Sequence, residues 1–245
     1  ERMVTNLVET VHHLAVLQER SGRLVRVGLE PESGCFLEST EDVVAFFNDQ
    51  LLRKGGDLLT RRYGYGEGDA ERLLRTHLGV CFDTAHLSLQ YEDLAGSIER
   101  YRGEGILIAK VQLGAALDVI NERPRLEALR PFVEPVYLHQ VTARNVRGGI
   151  RTWSDLPEAL RDVREAREFE ALRVLYHLPL AWEGSDLIGT TSRDLNPAFF
   201  AALKSGACEH LEIENYMYDI LPPALQNGPV ETYVARDYAW VMERL

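Results

Sequence analysis

Hydrophobic positions follow two rhythms along this chain. At the start, Leu7, Val11, Leu14 and Leu17 recur at helical spacing, which predicts a helix over Val4–Glu19 closed by Ser21 and Gly22. Short, nearly unbroken apolar runs follow at intervals: LVRVGLEP (24–31), LGVCFDTAH (78–86), ILIAKVQLG (106–114), PVYLHQVTA (135–143), LRVLYHLPL (172–180) and HLEIENY (210–216). Each reads as a strand. Helical patterns separate them over roughly 41–52, 69–77, 92–103, 124–131, 154–166, 196–205 and 230–245. Ser39 or Thr40 is placed to cap the first of these, with Glu41 and Asp42 in its first turn, and Ser154 to cap the helix that carries Pro157. Residues 54–70 and the stretch RNVRGGIRTW are expected as loops.

A strand without polar alternation is buried on both faces, as in a parallel sheet covered by helices. Strand followed by helix, repeated, therefore predicts an α/β protein, either a (β/α) barrel or a doubly wound sheet. No Gly-rich phosphate loop follows any of these strands, which argues against dinucleotide and nucleoside triphosphate binding.

Composition narrows the picture further. The 245 residues are 45% hydrophobic and 27% charged, so bulk disorder is excluded. A net charge of −11 with no basic stripe leads us to expect no nucleic-acid partner. No apolar run is long enough for a membrane span, and the start lacks a secretory-signal pattern. Cys35, Cys81 and Cys208 are sparse and odd in number, so no disulfide framework or structural zinc is expected and a reducing, cytoplasmic location is.

The chemistry collects where the strands end. Glu30 and Glu32 close the first run, Asp83 and His86 the second; Lys110 and Gln112 lie in the third. His139 lies in the fourth, His177 in the fifth, and Glu212 and Glu214 in the sixth. In a parallel barrel these ends meet on the face that carries active sites. Carboxylates, imidazoles and an amide suit Mn²⁺, Mg²⁺, Co²⁺, Fe²⁺ or Zn²⁺, and several buried carboxylates require a compensating cation or proton. Alternatives stand beside this reading. Glu212 could pair with Lys110 or act in catalysis, and Glu32 could be solvated. Tyr216 and Tyr218, like Trp153 and Trp182, could wall a sugar-sized pocket or pack in the core. His12, His13, His77 and His210 read as structural.

The motifs GLEPESGC, GVCFDTAH, KVQLGAAL, YLHQV, DLPEAL, HLPL and LEIENYMYDILPPAL give the chain a family resemblance across residues 22–245. It resembles the EboE-type metabolite traffic proteins within the xylose-isomerase-like TIM barrels, a superfamily that includes sugar phosphate isomerases/epimerases and endonuclease-IV-type enzymes. The resemblance implies the later part of a single (β/α) TIM barrel over 1–245, lacking two or three N-terminal βα units. It implies a divalent metal on Glu30, Asp83, Gln112 and Glu214, with Gln112 where the superfamily usually carries His. Glu30, Glu214 and His86 would be catalytic, and His86, Lys110, His139, His177 and Glu212 would bind substrate. The implied activity is isomerisation or epimerisation of a sugar or sugar phosphate by enediolate proton transfer. The alternative is a metabolite-binding protein of an Ebo-type export system. An Asp-x-His cluster needed for a trinuclear nuclease site is missing. A small, sugar-like metabolite is the expected partner, and exposed strand edges of an incomplete barrel would favour a homodimer.

Overall fold

The apolar runs sort into two sheets rather than one. The computed structural model describes residues 1–163, 168–226 and 228–245. In chain order its strands are β1 (Val27–Leu29), β2 (Leu78–Asp83), β3 (Leu107–Leu113), β4 (Leu117–Ile120), β5 (Val141–Asn145), β6 (Ile150–Trp153), β7 (Phe169–Val174), β8 (Gly189–Thr190) and β9 (Leu211–Ile213). The helices are α1 (Arg2–Ser21), α2 (Thr40–Ala45), α3 (Gly56–Tyr63), α4 (Glu67–His77), α5 (Thr84–Leu89), α6 (Leu94–Gly103), α7 (Arg123–Ala128), α8 (Leu156–Val163), α9 (Pro197–Lys204) and α10 (Val230–Met242).

The first sheet has the order β1-β2-β3-β9, and all its strands are parallel. Cα partners across it include Gly28 with Gly79, Asp83 with Gln112, and Gln112 with Glu212. This is an open sheet; no closed barrel forms among the described residues. One face packs on helices: Val80, Phe82, Val111 and Leu113 are buried, and Phe82 meets Tyr101 of α6 and Phe199 of α9 at 6.2 Å between ring centroids. Each such side chain contributes about 1.5–3 kcal/mol by leaving water. Gly79 is required by close approach, because a Cβ there would lie 2.4 Å from the Leu107 carbonyl oxygen. The other face carries the polar residues, and there Lys110 pairs with Glu212 at 2.6 Å.

The second sheet has the order β6-β5-β7-β4-β8, and its pairings are antiparallel. It lies between β3 and β9 in the chain, yet those two strands pair directly, so it is an excursion from the parallel sheet. The fourth and fifth runs, expected in the parallel sheet, belong here instead. An unbroken apolar run reports burial of both faces and is silent about the direction of its neighbour. The loop expected over RNVRGGIRTW is a hairpin in which Asn145 Oδ1 accepts from the N–H groups of Arg147 and Gly149, while Gly148 takes φ 81°. Asn and Gly supply that turn where the chain needs left-handed backbone. The chain leaves the fifth run after Val174, and 175–180 is irregular.

Helix expectations hold in most places. Ser39 caps α2 in a reciprocal capping box with Asp42. Residues 54–70, expected as a loop, are largely helical: a π-helical segment, Phe46–Gly55, runs into α3. Gly55 packs against Val8 and Leu74 there, which a larger residue would crowd. The last three residues of the helix expected over 154–166 lie outside the described residues. One large hydrophobic core joins both sheets, from Val4 of α1 to Val241 of α10, and Ala85, Leu89 and Leu175 form a small separate cluster. Among the described residues no helix is long and apolar enough to cross a membrane.

Candidate functional site

The C-terminal ends of three parallel strands bring Glu30, Asp83 and Glu214 together. One carboxylate oxygen from each lies within 4.8 Å of the others. Their placement follows from the strands: Glu30 comes one residue after β1, Asp83 ends β2, and Glu214 comes one residue after β9. Glu214 N–H donates to Leu113 O at 2.9 Å, which keeps that backbone in the sheet pattern. Asp83 is also the N-cap of α5, and its Oδ1 accepts from Ala85 N–H and His86 N–H. The cap holds the carboxylate still and sets His86 in the first helical turn, facing the cluster. Thr84 Oγ1 donates to Gly114 O at 2.7 Å and accepts from Gly114 N–H at 2.9 Å, tying the ends of β2 and β3.

The electrostatics of this cluster are unbalanced. Asp83 is fully buried, and its Oδ2 has no hydrogen bond. Glu214 is pushed up to about 8, first by burial and then by the charge of Asp83. Burial and Asp83 also raise Glu30. Burial and the approach of Asp83 thus make Glu30 and Glu214 weaker acids than free carboxyls. His86 Nε2 makes only long approaches, 3.5 Å to Glu30 and 3.7 Å to Asp83. Lys110, expected to bind substrate, is committed to Glu212. That pair lies outside the lining of the cavity described below.

Two imidazoles complete the arrangement. Asp83, His86 and His177 also offer ligand atoms within 4.8 Å of one another, so Asp83 is shared between two triads. His86 Nδ1 and His177 Nδ1 are buried without hydrogen bonds. Burial pushes His177 down, which keeps the ring neutral near pH 7. It reaches the site from the segment after β7. Gly114 makes room for it: a Cβ at Gly114 would lie 3.0 Å from His177 Nδ1.

Gln112 sits at the base of the cluster. It donates through Nε2 to Glu214 Oε2 and accepts the Cys81 thiol on Oε1. As oriented, the amide supports Glu214 and does not turn its oxygen to the three carboxylates. His139 also lies in this region, with both ring nitrogens engaged: Nδ1 meets Leu175 O and Nε2 meets Glu134 Oε1, each at 2.9 Å. Its ring stacks on Tyr176. His139 therefore lines the cavity with both ring nitrogens already engaged.

A cavity of about 470 Å³ opens over the cluster, lined on its polar side by Glu30, Glu32, His86, His177 and Glu214. That is within the range of small-molecule sites. Tyr216 lines it, whereas Tyr218 packs on Tyr233. Trp153 is buried against Phe169 and Trp182 packs on the core, so neither walls the cavity. Gln140 donates to Glu32 at the rim. Sequence reading missed Glu134, Tyr137 and Gln140. Only the spacing of Glu134 to His139 in the EPVYLH segment could have pointed to them.

The donor set fits a divalent cation. Three carboxylate oxygens within 4.8 Å, an orphaned Asp83 oxygen and two unpartnered imidazole nitrogens are what a hard or borderline cation satisfies. No protein-family model, curated protein or solved structure matches the chain.

Proposed function

We propose that this protein is a divalent-metal-dependent isomerase or epimerase acting on a small hydroxycarbonyl metabolite of the sugar type. The reading rests on one observation: the mutual approach of Glu30, Asp83 and Glu214, which among the described residues have only the long approaches of His86 as ion pairs and no lysine or arginine. Burying several carboxylates together is unfavourable unless a cation or a proton compensates. Glu30, Asp83 and Glu214 would hold the ion, with Gln112 fixing Glu214. A bound divalent ion would polarise a substrate carbonyl and acidify the neighbouring carbon-bound proton. Glu30, the most exposed of the three, can take that proton on its own face and, in isomerisation, return it to the neighbouring carbon; epimerisation needs a proton delivered from the opposite face by a second group. His86 can orient a substrate hydroxyl through its inward ring. His177, neutral and unpartnered, can hold or pass the second proton. We further propose that the four parallel strands are an arc of a xylose-isomerase-like (β/α) barrel, as the resemblance to EboE-type proteins implies. The shared sheet end carrying the polar residues supports this.

The test is solvent deuterium incorporation next to a carbonyl in candidate ketoses and aldoses. Exchange should require a divalent ion and vanish in Glu214→Gln. Turnover that survives both chelation and that substitution overturns the reading. A second reading is favoured by Gln112, whose oxygen faces Cys81 instead of completing the ligand set. It is a binder that carries a metabolite without transforming it. Ligand-dependent thermal stabilisation without any proton exchange would decide for it.

A further inference from the structure

The cavity has a second wall whose chemistry differs from the first. Val136, Tyr137, Leu138 and Tyr216 line it, and they are 65%, 44%, 65% and 56% exposed. Large apolar side chains concentrated at one exposed place mark a contact surface. These are held out in position, not left loose. Glu134 accepts from the N–H groups of Val136 at 2.7 Å and Tyr137 at 2.8 Å, and meets the buried ring of His139. Burial pulls Glu134 up, but those N–H groups and His139 outweigh it and keep its carboxylate below the usual range. The loop therefore pivots on an internal anchor that fixes its exposed side chains over the cavity. Tyr137 meets Tyr216 edge to face at 5.8 Å, and Tyr216 lies 5.1 Å from His177. The aromatic wall is thus continuous with the polar end of the same cavity.

A polyol fits only half of this site. Its hydroxyls would suit the carboxylates and imidazoles, but against the wall they would lose water without gaining hydrogen bonds. We infer that the ligand is amphipathic: adjacent oxygens, as a vicinal diol or hydroxycarbonyl, at the Glu30–Asp83–Glu214 end, and a flat aromatic or apolar group against Tyr137, Tyr216, Val136 and Leu138. The inference rests on the proposed function for its polar end only. Aromatic faces and edges pack against a ring with defined geometry, which would fix the orientation of the oxygen-bearing end.

Two neutral probes separate the parts. Titration of the full chain, followed by ligand-observed NMR, would compare 1-phenyl-1,2-ethanediol with 1,2-propanediol, in Mg²⁺, in Zn²⁺ and in EDTA. The phenyl diol should bind at least about tenfold more tightly, roughly the effect of desolvating one buried ring. That preference should fall below about threefold in Tyr137→Ser/Tyr216→Ser, with ion affinity unchanged. A ratio near one in the wild-type chain overturns the inference and leaves the wall as a surface for a protein partner. A tenfold ratio that survives the double substitution also overturns it. Preference for the ring in EDTA, with no binding of either ion, would sink the metal-dependent function and uphold the amphipathic ligand. Ion binding without ring preference would do the reverse.

Discussion

Two clusters of buried charge in this molecule solve the problem in opposite ways. In the antiparallel sheet, Arg173 of β7 faces Asp118 of β4 across the register. Its Nε lies 3.3 Å from Asp118, and its Nη1 lies 2.8 Å from Asp194 and donates to Ser88 O. Arg193 pairs with the same Asp118. Tyr91, the sole non-glycine residue with positive φ among those described, lays its ring 4.3 Å from the Arg173 guanidinium. Burial still raises Asp194, yet two arginines face two aspartates, so the charges balance within the chain. At the end of the parallel sheet three carboxylates meet with no such partner. The balanced network is architecture: it pins the β4–β7 pair to the end of α5. The unbalanced cluster is the place where we propose that a cation binds. A count of buried charges would not tell these apart; their pairing does.

Removing an arginine from the balanced network should have the largest effect. Arg173→Met takes the paired arginine from Asp194 and leaves Asp118 with Arg193 alone, and should cost about 3–5 kcal/mol in urea unfolding. A loss under about 1 kcal/mol would show that the network is ornamental. The matching change on the other side should act with opposite sign. Asp83→Asn keeps an N-cap side chain for α5 while removing one of three crowded charges. The metal-free protein should hold or gain thermal stability, and affinity for the divalent ion should drop by about a hundredfold, roughly 2.7 kcal/mol. Calorimetric titration with Mn²⁺ checks it; unchanged affinity removes Asp83 from the centre.

The two carboxyls of the cluster also make stability depend on pH. Glu214 and Glu30 sit above their ordinary value of 4.5 in the folded chain. Their contribution to metal-free stability is therefore complete below the ordinary carboxylate range and is lost as pH rises through the folded values, toward about 8 for Glu214. A saturating divalent ion, which favours the ionised carboxylates, should flatten that fall. Thermal melts from pH 5 to 8.5 with and without the ion would show it, and parallel slopes would contradict it. The smallest effect belongs to Lys110 and Glu212. Their side chains are 37% and 52% exposed, so Lys110→Met should change stability by less than about 1 kcal/mol, with ion affinity nearly intact. A large loss of ion affinity would return Lys110 to the site.

Legibility differed from element to element. Glu30, Asp83 and Glu214 could be found because polar residues closing apolar strand runs stand out, and parallel strands bring such ends to one face. His177 was legible as a candidate, although for a different reason from the one expected. It follows β7, and β7 runs antiparallel to its neighbours, so the start of β5 with His139 and the end of β7 with His177 lie at one end of that sheet. β4 went unseen because LDVI is short and follows β3 after three residues. The roles of Lys110 and Gln112 were not legible either. A side chain with one charge or one amide serves whichever partner comes nearest, and nearness is not written in spacing along the chain.

The pattern of residues by itself determined that the chain mixes strands with helices, that three of the runs are strands with acids at their C-terminal ends, and that Ser39 starts a helix. These follow from local rules of burial, period and capping, which act over a few residues. Tertiary structure alone decided that PVYLHQVTA and LRVLYHLPL contribute to an antiparallel sheet, that Lys110 spends its charge on Glu212, and that the 134–139 loop walls the cavity. Each is a choice of partner between segments tens of residues apart. The free energy separating such choices comes from the packing of the whole core, which no local pattern contains.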